Sequence, residues 1–214
     1  MDRHQPFRWH ETHVNAMVFD YYHRLRKKDR RVYEQSDAHG TVRLPPSPHY
    51  RESTDSLSAA LQSANRKRVE SCCVDLARLV TTALNVPTAR IRVLSKRPSH
   101  HWGELHGLYE SSDDRGPATI TLWMRTAQHK RVVAFRTFLR TLLHELCHHL
   151  DYTHLQLAES FHTEGFYRRE SSLFKQLMAA PGDAPKPRRT IPSDAEQRTA
   201  QQALREIRSR LNDP

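Results

Sequence analysis

The stretch "LLHELCHHLDYTHLQLAESFHTEGFYRR", Leu142–Arg169, sets five histidines and four carboxylates in an apolar framework. Within it, His144-Glu145-x-x-His148 forms an H-E-x-x-H. A spacing of four puts both imidazoles on one helix face, one turn apart, where they can share a zinc ion. Glu145 is offset by one residue, so it reaches a water on the metal rather than the metal. The pattern suits metal-assisted hydrolysis: zinc lowers the pKa of the water, and Glu145 takes its proton and returns it to a leaving amine. The plainer reading is a histidine-rich surface helix in a chain with 15 histidines. The setting LLHELCHHL opposes that, because unpartnered polar groups are costly on an apolar helix.

A catalytic zinc takes a third protein ligand and keeps one open position. Three residues compete. His154 completes H-E-x-x-H-x-x-D-x-x-H, the metzincin spacing with Asp151 in place of glycine, but a continuing helix would carry it far round from His148. Glu159 would make a gluzincin-like site with a carboxylate ligand. His162 lies four residues before Phe166 and extends the inward face Phe166–Leu173–Phe174 of a following helix, and this geometry favours it.

Other side chains have two readings each. Asp151 is either an acceptor for the outer nitrogen of a ligating imidazole or the end of the helix. Tyr152 and Tyr167 either offer a phenol to a developing oxyanion or simply pack. His149 and Cys147 point off the metal face and read as packing. His100, His101 and His106 in "SHHWGELHG" read as ordinary histidines sooner than as a second cluster.

Working outward, the H-E-x-x-H helix is expected from about Gln128 to Asp151, capped by Thr126, with Val132, Phe135, Leu139, Leu142, Leu146 and Leu150 as its stripe. A second helix is expected over about Thr163–Met178. Upstream, "ARIRVLSK", "HWGELHGLYE" and "ATITLWMRT" read as strands, the last two joined by a turn at "SSDDRGP". A helical pattern runs from Ser56 to Ala83 and stops at "NVP".

A helix, antiparallel strands, an H-E-x-x-H helix and a histidine opening a second helix as "HTEGFYRR" together resemble the SprT-like zinc metallopeptidases, zincins that include the Spartan-type proteases. The resemblance covers about residues 56–178, and its specific parts are "HELCHH" and the step from His162 to Phe166. It implies His144, His148 and His162 as zinc ligands and Glu145 as general base. Two departures stand out: Thr163 follows His162 where members often have glycine, and no C-x-x-C pair exists to build a zinc ribbon.

The expected fold is therefore α+β, a minimal zincin. A small antiparallel three-stranded sheet packs on an N-terminal helix, the H-E-x-x-H helix and a following helix. Residues 1–55 are expected as a basic extension and Pro-rich linker, 56–180 as the metallopeptidase domain, and 181–214 as a Pro-rich linker with a C-terminal helix. A short helix in "HVNAMVFDYYHRLRKK" is expected within the first segment. In the last, Leu204, Ile207 and Leu211 form a narrow apolar stripe.

The 214 residues are 37% hydrophobic, and mean hydropathy is −0.79. No apolar run approaches the roughly 20 residues of a membrane span, and "MDRHQPFRWHETH" lacks the apolar region of a secretory signal. With three cysteines and no disulfide pattern, a reduced, cytoplasmic or nucleoid-associated protein is expected, with no membrane partner. The net charge of +10 is concentrated in "RLRKKDRR", "RKR" and "KPRR", which read either as DNA contacts or as a solvated basic surface. The leading expectation is a zinc-dependent endopeptidase acting on protein or peptide, with substrates on or near DNA. The alternatives are a nucleic-acid-binding or interaction module on a zincin scaffold, and a regulatory gluzincin that cleaves one partner.

Overall fold

The computed structural model describes residues 19–100, 103–112 and 116–179. In chain order these form a short 3₁₀ turn at Asp20–Arg24, then α1 (Lys27–Ala38), α2 (His49–Gln62), α3 (Arg66–Ala83) and β1 (Arg90–Lys96). There follow β2 (Ser99–His100), β3 (Gly103–Glu104), β4 (Gly107–Glu110), β5 (Thr119–Arg125), α4 (Phe135–Thr153) and α5 (Glu164–Met178). The expected α+β class holds. The short helix expected in "HVNAMVFDYYHRLRKK" lies partly outside the described residues, and its described part is the 3₁₀ turn and the start of α1 rather than one helix. The expected C-terminal helix lies wholly outside them. None of the described helices is long and apolar enough to cross a membrane.

The three-stranded sheet is mixed, not wholly antiparallel. Its order is β1-β5-β4, with β1 parallel and β4 antiparallel to β5. Strand β5 takes the centre because both its faces are covered: Ile120, Leu122 and Met124 on one side and Thr121 and Trp123 on the other are all buried. A strand buried on both faces needs hydrogen-bonded neighbours on both edges. The chain therefore leaves β1, makes the separate β2–β3 ribbon, lays down β4 on the far edge and returns through the centre. "HWGELHGLYE" is accordingly two strands rather than one.

The helical run from Ser56 is two helices. Ala64 takes a left-handed backbone (φ 52°), and the Asn65 side chain caps α3 by accepting the Arg68 N–H. Leu57, Ala60 and Leu61 of α2 meet Val69, Cys73, Leu76 and Val80 of α3 in the core. Helix α2 begins at His49, seven residues before the expected Ser56, because Pro48, lacking an N–H, is tolerated where a helix starts. Helix α4 begins at Phe135, not Gln128. Thr126 does not cap it, because it exchanges hydrogen bonds with Arg131 and closes a turn that returns Val133 to Met124 of β5.

The segment expected as extension and linker enters the domain from residue 27 onward. Tyr33, Ser36, Val42, Leu44 and Tyr50 are all buried. The C-terminal end of α1 sits on the first turn of α5, where Gly165 makes the approach possible. A Cβ at Gly165 would lie 2.6 Å from the Ser36 carbonyl oxygen, and the Gly165 N–H donates to Asp37 Oδ1 at 2.7 Å.

Candidate metal centre

Helix α4 buries Phe138, Leu139, Leu142, Leu143, Leu146 and Leu150. That fixes its rotation and leaves His144 and His148 half-buried at the rim of the core. The chain then loops back. Thr163 caps α5 by accepting the Phe166 N–H at 3.0 Å, so His162 stands immediately ahead of that helix. The Nε2 atom of His162 is 3.0 Å from Nε2 of His144 and 3.1 Å from Nε2 of His148. Three imidazole nitrogens thus face one point, all within 4.8 Å of one another, close enough to hold a metal ion. Phe166 is their floor: its ring lies 5.0, 4.7 and 5.2 Å from those of His144, His148 and His162.

The outer ring nitrogens have partners of their own. His148 Nδ1 lies 2.7 Å from Ser160 Oγ, and the Ser160 hydroxyl donates to Asp151 Oδ2 at 2.7 Å. His144 Nδ1 faces Glu170 Oε2 at 3.3 Å, and Arg140 holds the other Glu170 oxygen at 3.2 Å. Protons on the Nδ1 atoms of these two rings leave their Nε2 lone pairs for a cation. The donor set therefore fits a metal. Tyr21 donates its hydroxyl to the His162 carbonyl at 2.9 Å, which ties the loop to the N-terminal turn.

Glu145 lies under β4, buried at 6% exposure. Burial pushes its carboxyl up to about 7, against the opposing pull of His144 and of the Tyr109 backbone N–H. Strand β4 can close over it because residue 107 is glycine: an added Cβ would meet the Glu145 carboxylate and lie 2.7 Å from its Cγ.

Asp151 is fully buried and paired with buried Arg169 at 2.8 Å. Burial raises its carboxyl, while Arg169 and Ser160 act in the opposite direction. Tyr167 stacks on His162 with ring centroids 5.9 Å apart, and burial holds its phenol well above the ordinary value. Tyr152 instead stacks on Tyr109 and turns its hydroxyl towards Glu159 at 3.5 Å. Glu159 and His154 are both exposed, and neither belongs to the cluster. His149 is buried, with Nε2 2.7 Å from the Pro87 carbonyl and Nδ1 3.3 Å from the Tyr109 hydroxyl. Cys147 is buried too, and its thiol is pushed well up by that burial.

Ser160, Arg169, Glu170, Gly107 and Tyr21 escaped the sequence reading. Glu170 had a signal, since it follows Phe166 by four on the inward face of α5, where a carboxylate needs a partner. Ser160 sits in an irregular loop and had none. Family models, curated proteins and solved structures were all compared with the chain, and none matched.

Proposed function

We propose that the chain is a zinc-dependent endopeptidase. The observation that carries this reading is the convergence of three imidazole nitrogens beside a buried carboxylate one residue from the first of them. Tetrahedral zinc with Zn–N bonds of about 2.0–2.1 Å sets neighbouring ligand nitrogens about 3.3 Å apart, and the spacings of 3.0 and 3.1 Å lie near that value. His144, His148 and His162 would hold the ion. When bound, zinc supplies Lewis acidity to water and to a peptide carbonyl.

The protein's own part is to move a proton and hold a chain. Glu145, raised to about 7 by burial, accepts a proton from the attacking water and gives it to the amine nitrogen as the C–N bond breaks. A base with that value is matched to proton transfer near neutral pH. Strand β4 is an edge of the described sheet, beside α4, and its outer side would offer main-chain groups to an extended peptide. DNA-associated proteins are the substrates we favour, because Arg24, Arg26, Lys27, Lys28 and Arg31 are exposed cations clustered in sequence. A cytoplasmic or nucleoid-associated location accords with that, and all three cysteines are free.

The test is Glu145→Gln. The variant should retain about one zinc per chain and lose peptide cleavage. A metal-free wild type, or a fully active variant, would overturn the reading. Cleavage of a DNA-bound protein that falls steeply with salt would support the DNA arm.

A further inference from the structure

The three imidazoles are not held alike. His144 meets a carboxylate directly, whereas His148 meets one through a hydroxyl. The directions of the latter bonds are fixed by chemistry. An ionised Asp151 can only accept, so the Ser160 proton points at Oδ2, 2.7 Å away. The Ser160 oxygen is then left to accept, and the only group offered to it by His148 is Nδ1, also at 2.7 Å. His148 must carry its proton on Nδ1, which turns the Nε2 lone pair towards His162 Nε2 at 3.1 Å. Asp151 is itself immobilised. Arg169 binds Oδ1 at 2.8 Å, and the same guanidinium donates to the carbonyls of Ser36 and His39. Asp151 and Arg169 are exposed by no more than 1%.

We infer that Ser160 is the positioning residue of the metal centre: its hydroxyl sets the tautomer and ring direction of His148 and, two residues before His162, pins the loop that delivers the third ligand. One group thereby aligns a ligand from α4 with a ligand from the loop, and the anchor for both is the Asp151–Arg169 pair. This rests on the three-histidine metal site proposed above. It adds that the geometry of that site depends on a side chain that never touches the ion.

The experiment uses the full chain and zinc itself, with affinity read by competition against a chromophoric chelator. Ser160→Ala should bind zinc about 10- to 100-fold more weakly. Ser160→Thr keeps the hydroxyl and should come within about threefold of wild type, well inside that range. A purely structural serine would alter the melting temperature of the metal-free protein without this pattern. The zinc-loaded wild type should also show a protected, downfield His148 Nδ1–H proton in imidazole ¹H–¹⁵N spectra, absent after Ser160→Ala. Unchanged affinity in folded Ser160→Ala, or a Thr variant as weak as Ala, overturns the inference. If Ser160→Ala does not fold, the wild-type spectrum decides alone, and a His148 protonated on Nε2 overturns it. His148→Ala separates the two levels. Should the wild type take up no zinc, or His148→Ala bind it undiminished, the metal site itself fails; with both as expected and Ser160→Ala indifferent, only the role of Ser160 fails.

Discussion

Gly107 of the edge strand lies directly on the side chain of Glu145, so closely that a methyl group there would stand 2.7 Å from Glu145 Cγ. Gly107→Ala must therefore displace either the strand or the carboxylate. Overpacking of this kind costs about 1–3 kcal/mol, and the three histidines are untouched. We expect normal zinc content, a modest fall in stability and a cleavage rate well below wild type, measured as kcat/KM on a peptide. Wild-type activity would show that Glu145 does not need this placement.

Ligand variants should separate the histidines into two groups. His144→Ala and His162→Ala should weaken zinc binding by more than the about 10- to 100-fold typical of an outer partner. His154→Ala and Glu159→Ala change exposed side chains outside the cluster, so chelator competition should return wild-type affinity for both. A loss on Glu159→Ala matching that on His162→Ala would revive the carboxylate-ligand alternative.

Asp151 and Arg169 form a buried pair whose separation should be expensive. Removing one partner leaves the other charge without compensation, at about 3–5 kcal/mol. Arg169→Leu should thus destabilise the metal-free protein by that order in urea titrations, because it also strips the Ser36 and His39 carbonyls of a donor. A change below about 1 kcal/mol would mean that water or a neighbour replaces the guanidinium readily.

Zinc should stabilise the fold as well as serve its chemistry. An ion bound only by the native state adds about 2.7 kcal/mol at one hundred times its Kd. For a chain of this size that is roughly 5–10 °C in melting temperature. Chelation should lower the transition by this amount and added zinc should restore it, while a His144→Ala chain should respond to neither.

What the sequence made legible was periodic or strictly spaced. The i, i+4 step from His144 to His148 sits on a helix, and the inward stripe of α5 pointed to His162, so these three residues could be brought together before any coordinates. Strand order was not readable in the same way. Nothing local in "ARIRVLSK" says that its neighbour is β5 rather than β4; that depends on which strand can be covered on both faces. The basic run "RLRKKDRR" concealed α1, because Tyr33 and Ser36 are the only residues that helix buries, too few to make a stripe. Ser160 lies in irregular backbone, where no period marks which way a side chain points.

The docking of α1 on α5 has a practical consequence. Read from hydropathy, the domain could be cut at Ser56, and such a fragment would still contain each proposed ligand and the proposed base. It would lack Ser36 and His39, the acceptors that hold Arg169, and Asp37, which receives the Gly165 N–H. A fragment that keeps these contacts begins ahead of Lys27, so the boundary of the folded unit is set by a guanidinium more than a hundred residues away in sequence.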